Sequence, residues 1–149
     1  MSVVHDPFGL QRFVTAQNPV YDEVRAELRS GRKQGHWMWF IFPQLRGLGH
    51  SQMATAFGIA SRDEAEAYLN HPVLGTRLRE CTRLVNLVED RSITQILGYP
   101  DDLKFRSSMT LFDRIASDHQ VFPAGNQVFN DALEKYFGGE RDPLTLARV

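Results

Sequence analysis

The sequence predicts an all-α fold of about six to eight short and medium helices with no substantial sheet. Three observations carry this. Apolar residues return at helical spacing through most of the chain, and cap residues and glycine stops bracket those segments. The one dense apolar string, Trp37 to Pro43, finds no partner strand elsewhere.

Taken in order, Asp6 is a candidate N-cap and Pro7 a favoured first helical residue. Leu10, Phe13, Val14 and Gln17 then share a face until Asn18-Pro19 breaks it. Val20 to Ser30 aligns Val20, Tyr21, Val24 and Leu28, with Gly31 as the stop. From Gly31 to Ser51 the periodicity fails. A lone buried strand there would leave its backbone unpaired, so Trp37 to Phe42 reads as a short helical turn ended by Pro43. Ser51 to Phe57 is a short helix, and Ser61 with Glu64 makes a capping-box pattern that opens a helix to Leu69. Asn70-His71-Pro72 turns the chain into its most periodic segment, Pro72 to Val88, with Leu74, Leu78, Cys81, Val85 and Val88 along one face. Ser92 to Leu97 gives one or two turns closed by Gly98. Asp101 or Asp102 caps a helix from Leu103 to about Ala116, and Asn126 to Phe137 forms the last clear helix, ended by Gly138-Gly139.

With no repeat, linker or low-complexity tract, residues 1–149 read as one globular domain. At 42% hydrophobic and 23% charged residues the composition is that of a folded protein. A net charge of −1 gives no long-range attraction to nucleic acid or to an anionic membrane, and no apolar run approaches a membrane span. The opening MSVVHDPFGLQRF lacks the pattern of a secretory signal, and Cys81, alone, fits a reducing compartment; the default address is the cytoplasm. Cys81 lies among leucines and valines as a core residue.

The polar residues supply the candidate site. A helical wheel places Arg77 inside the apolar arc of the Pro72 helix, and Lys104 with Ser108 inside that of the Leu103 helix, whereas Arg106 falls outside. In the Asn126 helix every charged residue lies off the apolar face, so inward cations are not this chain's habit. A buried cation needs a carboxylate, carbonyl, water or anionic ligand. Lys104 also sits in a first helical turn, where free amides would suit an anion. The structural alternative is that both cations snorkel to solvent or pair with acids such as Glu64 or Glu80.

His36 is the candidate acid or base, the alternative being a hydrogen-bonded structural histidine. Trp37 and Trp39 would stack on a planar ligand or simply fill the core; Gln44 would bind a ligand or tie down the loop; Gln17 shares the inward face of its helix. Gly47-Leu48-Gly49 before Ser51 could form an anion-binding nest at a helix start. No cofactor motif is present: the lysine of a Walker loop is missing and no G-x-G-x-x-G follows a strand. Neither the spacing of His5, His36, His50, His71 and His119 nor any CxxC or HExxH suits a metal.

The string HWMWFIFPQLRGLGHS, with AYLNHPVLGTRL and DDLKFRSSMTLF downstream, resembles a bacterial family known as domain of unknown function 1810. The resemblance runs from Ala16-Gln17 to the Leu103 helix and implies a compact, mainly helical domain of uncharacterised activity. Members sometimes carry the name calpastatin. True calpastatin inhibitory segments are disordered and polar, whereas this chain has the apolar periodicity of a folded core, so calpain inhibition is not expected.

Three functional readings follow. In the first, a small anionic, nucleotide-like or phosphorylated ligand binds a pocket walled by Trp37 and Trp39 and held by Gln17, Gln44, Ser51, Arg77, Lys104 and Ser108, with His36 for proton transfer if there is catalysis. No motif decides whether a reaction is catalysed. In the second, the aromatic string is an exposed patch for a protein partner or a second copy, which requires Trp37, Trp39 or Phe42 to be exposed. In the third, these residues only build the core.

Overall fold

Asp6 starts the first helix from outside it: its two carboxylate oxygens accept from the amides of Leu10 and Gln11, at 2.8 and 3.0 Å. The computed structural model describes residues 5–118 and 125–149. Among them the chain forms ten helices: α1 (Gln11–Gln17), α2 (Tyr21–Ser30), α3 (Met38–Ile41), α4 (Gln52–Ala56), α5 (Arg62–Asn70), α6 (Leu74–Leu87), α7 (Ile93–Leu97), α8 (Asp101–Asp118), α9 (Gln127–Phe137) and α10 (Pro143–Leu146). The fold is all-α, with no strand among the described residues. Nor is any described helix long and apolar enough to cross a membrane.

Helix ends follow local chemistry. Gly31, at φ 75°, closes α2 in the left-handed conformation that a glycine adopts without strain. The Ser51, Ser61, Ser92 and Asp142 side chains each accept an amide of the helix they precede. His71 Nδ1 does the same for α6, accepting from Val73 N and Leu74 N at 3.1 and 3.2 Å.

Several expectations are corrected. The Ser61–Glu64 capping box is only half formed, because Glu64 accepts from Ala60 N at 3.0 Å and pairs with Arg12 at 2.8 Å instead of returning to Ser61. The reciprocal box is at Ser92–Gln95. The α8 helix begins at Asp101, so neither Asp101 nor Asp102 precedes it as a cap. Helix α10 adds to the helices the periodicity predicts, and Asp142-Pro143 before it repeats the cap-then-proline signature of Asp6-Pro7. The string Trp37 to Pro43 has no partner strand among the described residues, as expected, and beyond it one isolated parallel bridge joins Leu45 to Ile59.

The core gathers around α8, which packs against α5, α7, α9 and α10, while α6 packs against α2, α5 and α9. Aromatic rings run through it: Phe13 meets Tyr68 edge-on at 5.0 Å, Tyr68 meets Phe112 at 5.4 Å, and Phe42 meets Phe105 edge-on at 4.9 Å. Cys81 is buried here, and burial pushes its thiol up to about 12. At Gly75 a Cβ would stand 2.0 Å from the Leu69 carbonyl oxygen, so the absence of a side chain lets the start of α6 press against the end of α5.

Candidate functional site

The aromatic string is anchored by one acidic residue. Glu27 Oε1 accepts from Gln34 N at 2.7 Å, Gly35 N at 2.9 Å and Trp37 Nε1 at 3.0 Å. Burial pushes the Glu27 carboxyl up, but these donors and nearby Lys33 outweigh it and hold the group below its usual range. Trp37, held by its bond to Glu27, and Phe42, packed against the Trp37 and Phe105 rings, are enclosed at 2% and 1% exposure, whereas Trp39 is half-buried. An interaction surface made from this string has only Trp39 to present.

Beside the string, two lysines share one carboxylate. Lys33 Nζ pairs with Asp101 Oδ2 at 2.9 Å, donates to the Gly35 carbonyl at 2.6 Å and lies 5.1 Å from the Trp37 ring. Lys104 Nζ reaches Asp101 Oδ1 at 3.4 Å and lies 5.1 Å from the Trp39 ring. Three of the four amides in the first turn of α8, expected free beside Lys104, are already taken. The amides of Asp102, Leu103 and Lys104 donate to the carbonyls of Gly98, Pro100 and Pro100, across a turn whose Tyr99–Pro100 peptide is cis.

Lys104 opens onto a groove of about 320 Å³ formed by three stretches of chain. Gln44, Leu48 and Gly49 come from the loop after α3; Pro100 from the turn before α8 and Leu103, Lys104, Arg106 and Ser107 from its start; Asp142 and Leu144 from α10 and its cap. The Leu45–Ile59 bridge ties the loop to the segment after α4, and Arg148 holds it as well by donating to the Arg46 carbonyl at 3.1 Å. Two of its apolar lining residues, Leu103 and Leu144, are exposed at 44% and 62%. Gln44 and Lys104 also line a slot behind the groove, about 10 Å³ in size and walled by Met38, Trp39, Phe42, Ala54 and Phe57.

Within the groove, Asp142 is buried. Its Oδ2 accepts from Ser107 Oγ at 3.1 Å, Thr145 N at 3.2 Å and Thr145 Oγ1 at 2.5 Å. Its Oδ1 faces Arg106 Nη2 at 3.9 Å, and the buried Arg106 Nε has no hydrogen-bond partner.

The structure therefore brings together Trp39, Gln44 and Lys104 from the sequence-derived set. Gln17 and Arg77 lie elsewhere and serve each other. Gln17 is buried and donates to the Phe40 carbonyl at 2.7 Å and Tyr68 Oη at 3.2 Å, while its Oε1 accepts from Arg77 Nη1 at 3.2 Å. The Arg77 guanidinium lies 4.6 Å from the Tyr21 ring, and neither Glu64 nor Glu80 is its partner. Ser51 is exposed and caps α4 through Ala54 N; Ser108 is fully buried with its hydroxyl unpartnered; His36 is exposed and lines neither the groove nor the slot. Among the described residues no three His, Cys, Asp or Glu side chains cluster as metal ligands would, and His119 lies outside those residues.

Sequence reasoning missed Lys33, Asp101, Arg106 and Asp142. The wheel turned Arg106 outward because it could not see α10 packed on that flank of α8. The Asp-Pro pair at Asp142-Pro143 was the one signal that could have supplied it.

No curated protein matches the chain. Among solved structures it is similar to the conserved hypothetical protein Rv1873 from Mycobacterium tuberculosis, at 58% identity and a TM-score of 0.89, over 95% of this chain and 96% of that one. A family described as "Protein of unknown function (DUF1810)" matches residues 7–149. On a match spanning nearly its whole length, joined to close agreement in sequence and fold with the mycobacterial protein, the chain belongs to the DUF1810 family.

Proposed function

We propose that the protein binds a small anionic ligand in the groove between the loop after α3, the start of α8 and α10. The supporting observation is a local surplus of positive charge. Lys33, Lys104 and Arg106 are met by two carboxylates, Asp101 and Asp142; Asp101 is divided between two lysines, and Asp142 stands 3.9 Å from Arg106. Cations held this way, partly desolvated and under-neutralised, favour an incoming anion. The groove's volume of about 320 Å³ lies at the lower end of the range for small-molecule sites, and Leu103 and Leu144 supply apolar contact. A nucleotide or phosphorylated metabolite has the matching chemistry, with Lys104 and Arg106 on the anion and Gln44 beside it.

Thermal-shift measurements with nucleotides, sugar phosphates and pyrophosphate test this. A ligand at about a hundredfold over its dissociation constant stabilises the native state by about 2.7 kcal/mol. The stabilisation should vanish in Lys104→Ala and Arg106→Ala. Arg77→Ala should melt earlier, having lost its bond to Gln17, yet keep the ligand response. No response to any anion, or a response that Arg77→Ala abolishes and Lys104→Ala retains, overturns the assignment.

A further inference from the structure

Within that net positive groove lies a carboxylate as well, a group that a simple anion would leave without a partner. Asp142 caps α10 through Oδ2 alone, and an asparagine or serine could supply that oxygen. With bonds from Ser107 and Thr145 as well, Oδ2 is fully used. Oδ1 is not. Among the described residues no hydrogen bond reaches it, and Arg106 at 3.9 Å stands beyond hydrogen-bond range. The one open acceptor of an otherwise buried carboxylate, reached from the cavity and not sealed among the buried unpartnered atoms, thus belongs to a residue that lines the same cavity as Lys104 and Arg106.

We infer that the groove takes an amphoteric ligand, whose anionic group lies on Lys104 and Arg106 and whose N–H donor, an ammonium or amino group, bonds Asp142 Oδ1. Asp142 is then a specificity residue: it selects aminated anions over otherwise identical ones. A site built around a buried polar group discriminates strongly against a ligand that leaves that group unpaired. Amino acids and amino-substituted nucleotides both carry this chemistry. The inference rests on the anion-binding reading above.

Titration calorimetry on the full chain separates the two. The probes are matched pairs, leucine against isocaproate and adenosine monophosphate against purine ribonucleoside monophosphate, with inorganic pyrophosphate as the plain anion. In at least one pair the aminated member should bind about tenfold or more tighter. Asp142→Asn keeps a capping oxygen and turns an amide donor to the cavity, so that preference should disappear. The pair that responds tells an amino acid from a nucleotide. Equal binding within both pairs, or a preference that survives in Asp142→Asn, overturns the inference, and the native protein alone suffices for the first of these. Pyrophosphate binding that needs Lys104, without any preference for aminated probes, leaves the anion site standing and removes only its amphoteric specificity. If neither pyrophosphate nor any of the four binds, the anion site and the inference both fall.

Discussion

Glu27 holds residues 34–37 against α2 through three hydrogen bonds to one oxygen. Its folded carboxyl is harder to protonate than that of the unfolded chain. The stability this confers is complete above the ordinary carboxylate range and is lost as pH falls through the lowered folded value. Urea unfolding at a series of pH values should show native protein losing more stability on acidification than Glu27→Gln does. Equal acid sensitivity in the two would remove Glu27 from this role. At this scale the sequence was partly legible. The wheel placed Ser108 and Gln17 inside, where they are buried, and could not say whom they meet. Pairs such as Lys33 with Asp101 or Arg106 with Asp142 join distant stretches of chain, and no local period encodes them.

Among the helices, Gly75 sets propensity against packing. Alanine is better than glycine inside a helix by about 1 kcal/mol, so the sequence alone favours Gly75→Ala as stabilising. The structure reverses the sign. A methyl 2.0 Å from the Leu69 carbonyl meets backbone, which cannot swing aside as a side chain would. The variant should lose about 1–3 kcal/mol as α5 and α6 are forced apart; a denaturant midpoint at or above the native one would refute this. Longer helices were legible because each buries an apolar stripe at a fixed period, as α6 and α9 do. Four-residue α10 is too short to display a period, and only its cap and proline could announce it.

Across the whole molecule, the groove exists only where the loop after α3, the start of α8 and α10 converge. Sequence reading found Gln44 and Lys104 on two of those three walls and also drew in Arg77, which the fold carries to Gln17 and Tyr21 instead. Helical phase tells how far a side chain faces inward. It does not tell towards which neighbour, and that is decided by packing between elements.

The placement of the two tryptophans also gives the protein a built-in optical readout. Trp37 is sealed against Glu27 and reports on folding, whereas Trp39 lies against Lys104 in the slot behind the groove. An anion that draws the Lys104 ammonium off the Trp39 ring will change that ring's emission. In Trp37→Phe the tryptophan emission, excited at wavelengths where tyrosine does not absorb, comes from Trp39 alone, so a saturable change on titration, abolished by Lys104→Ala, would turn occupancy of the groove into a spectroscopic signal without any added label.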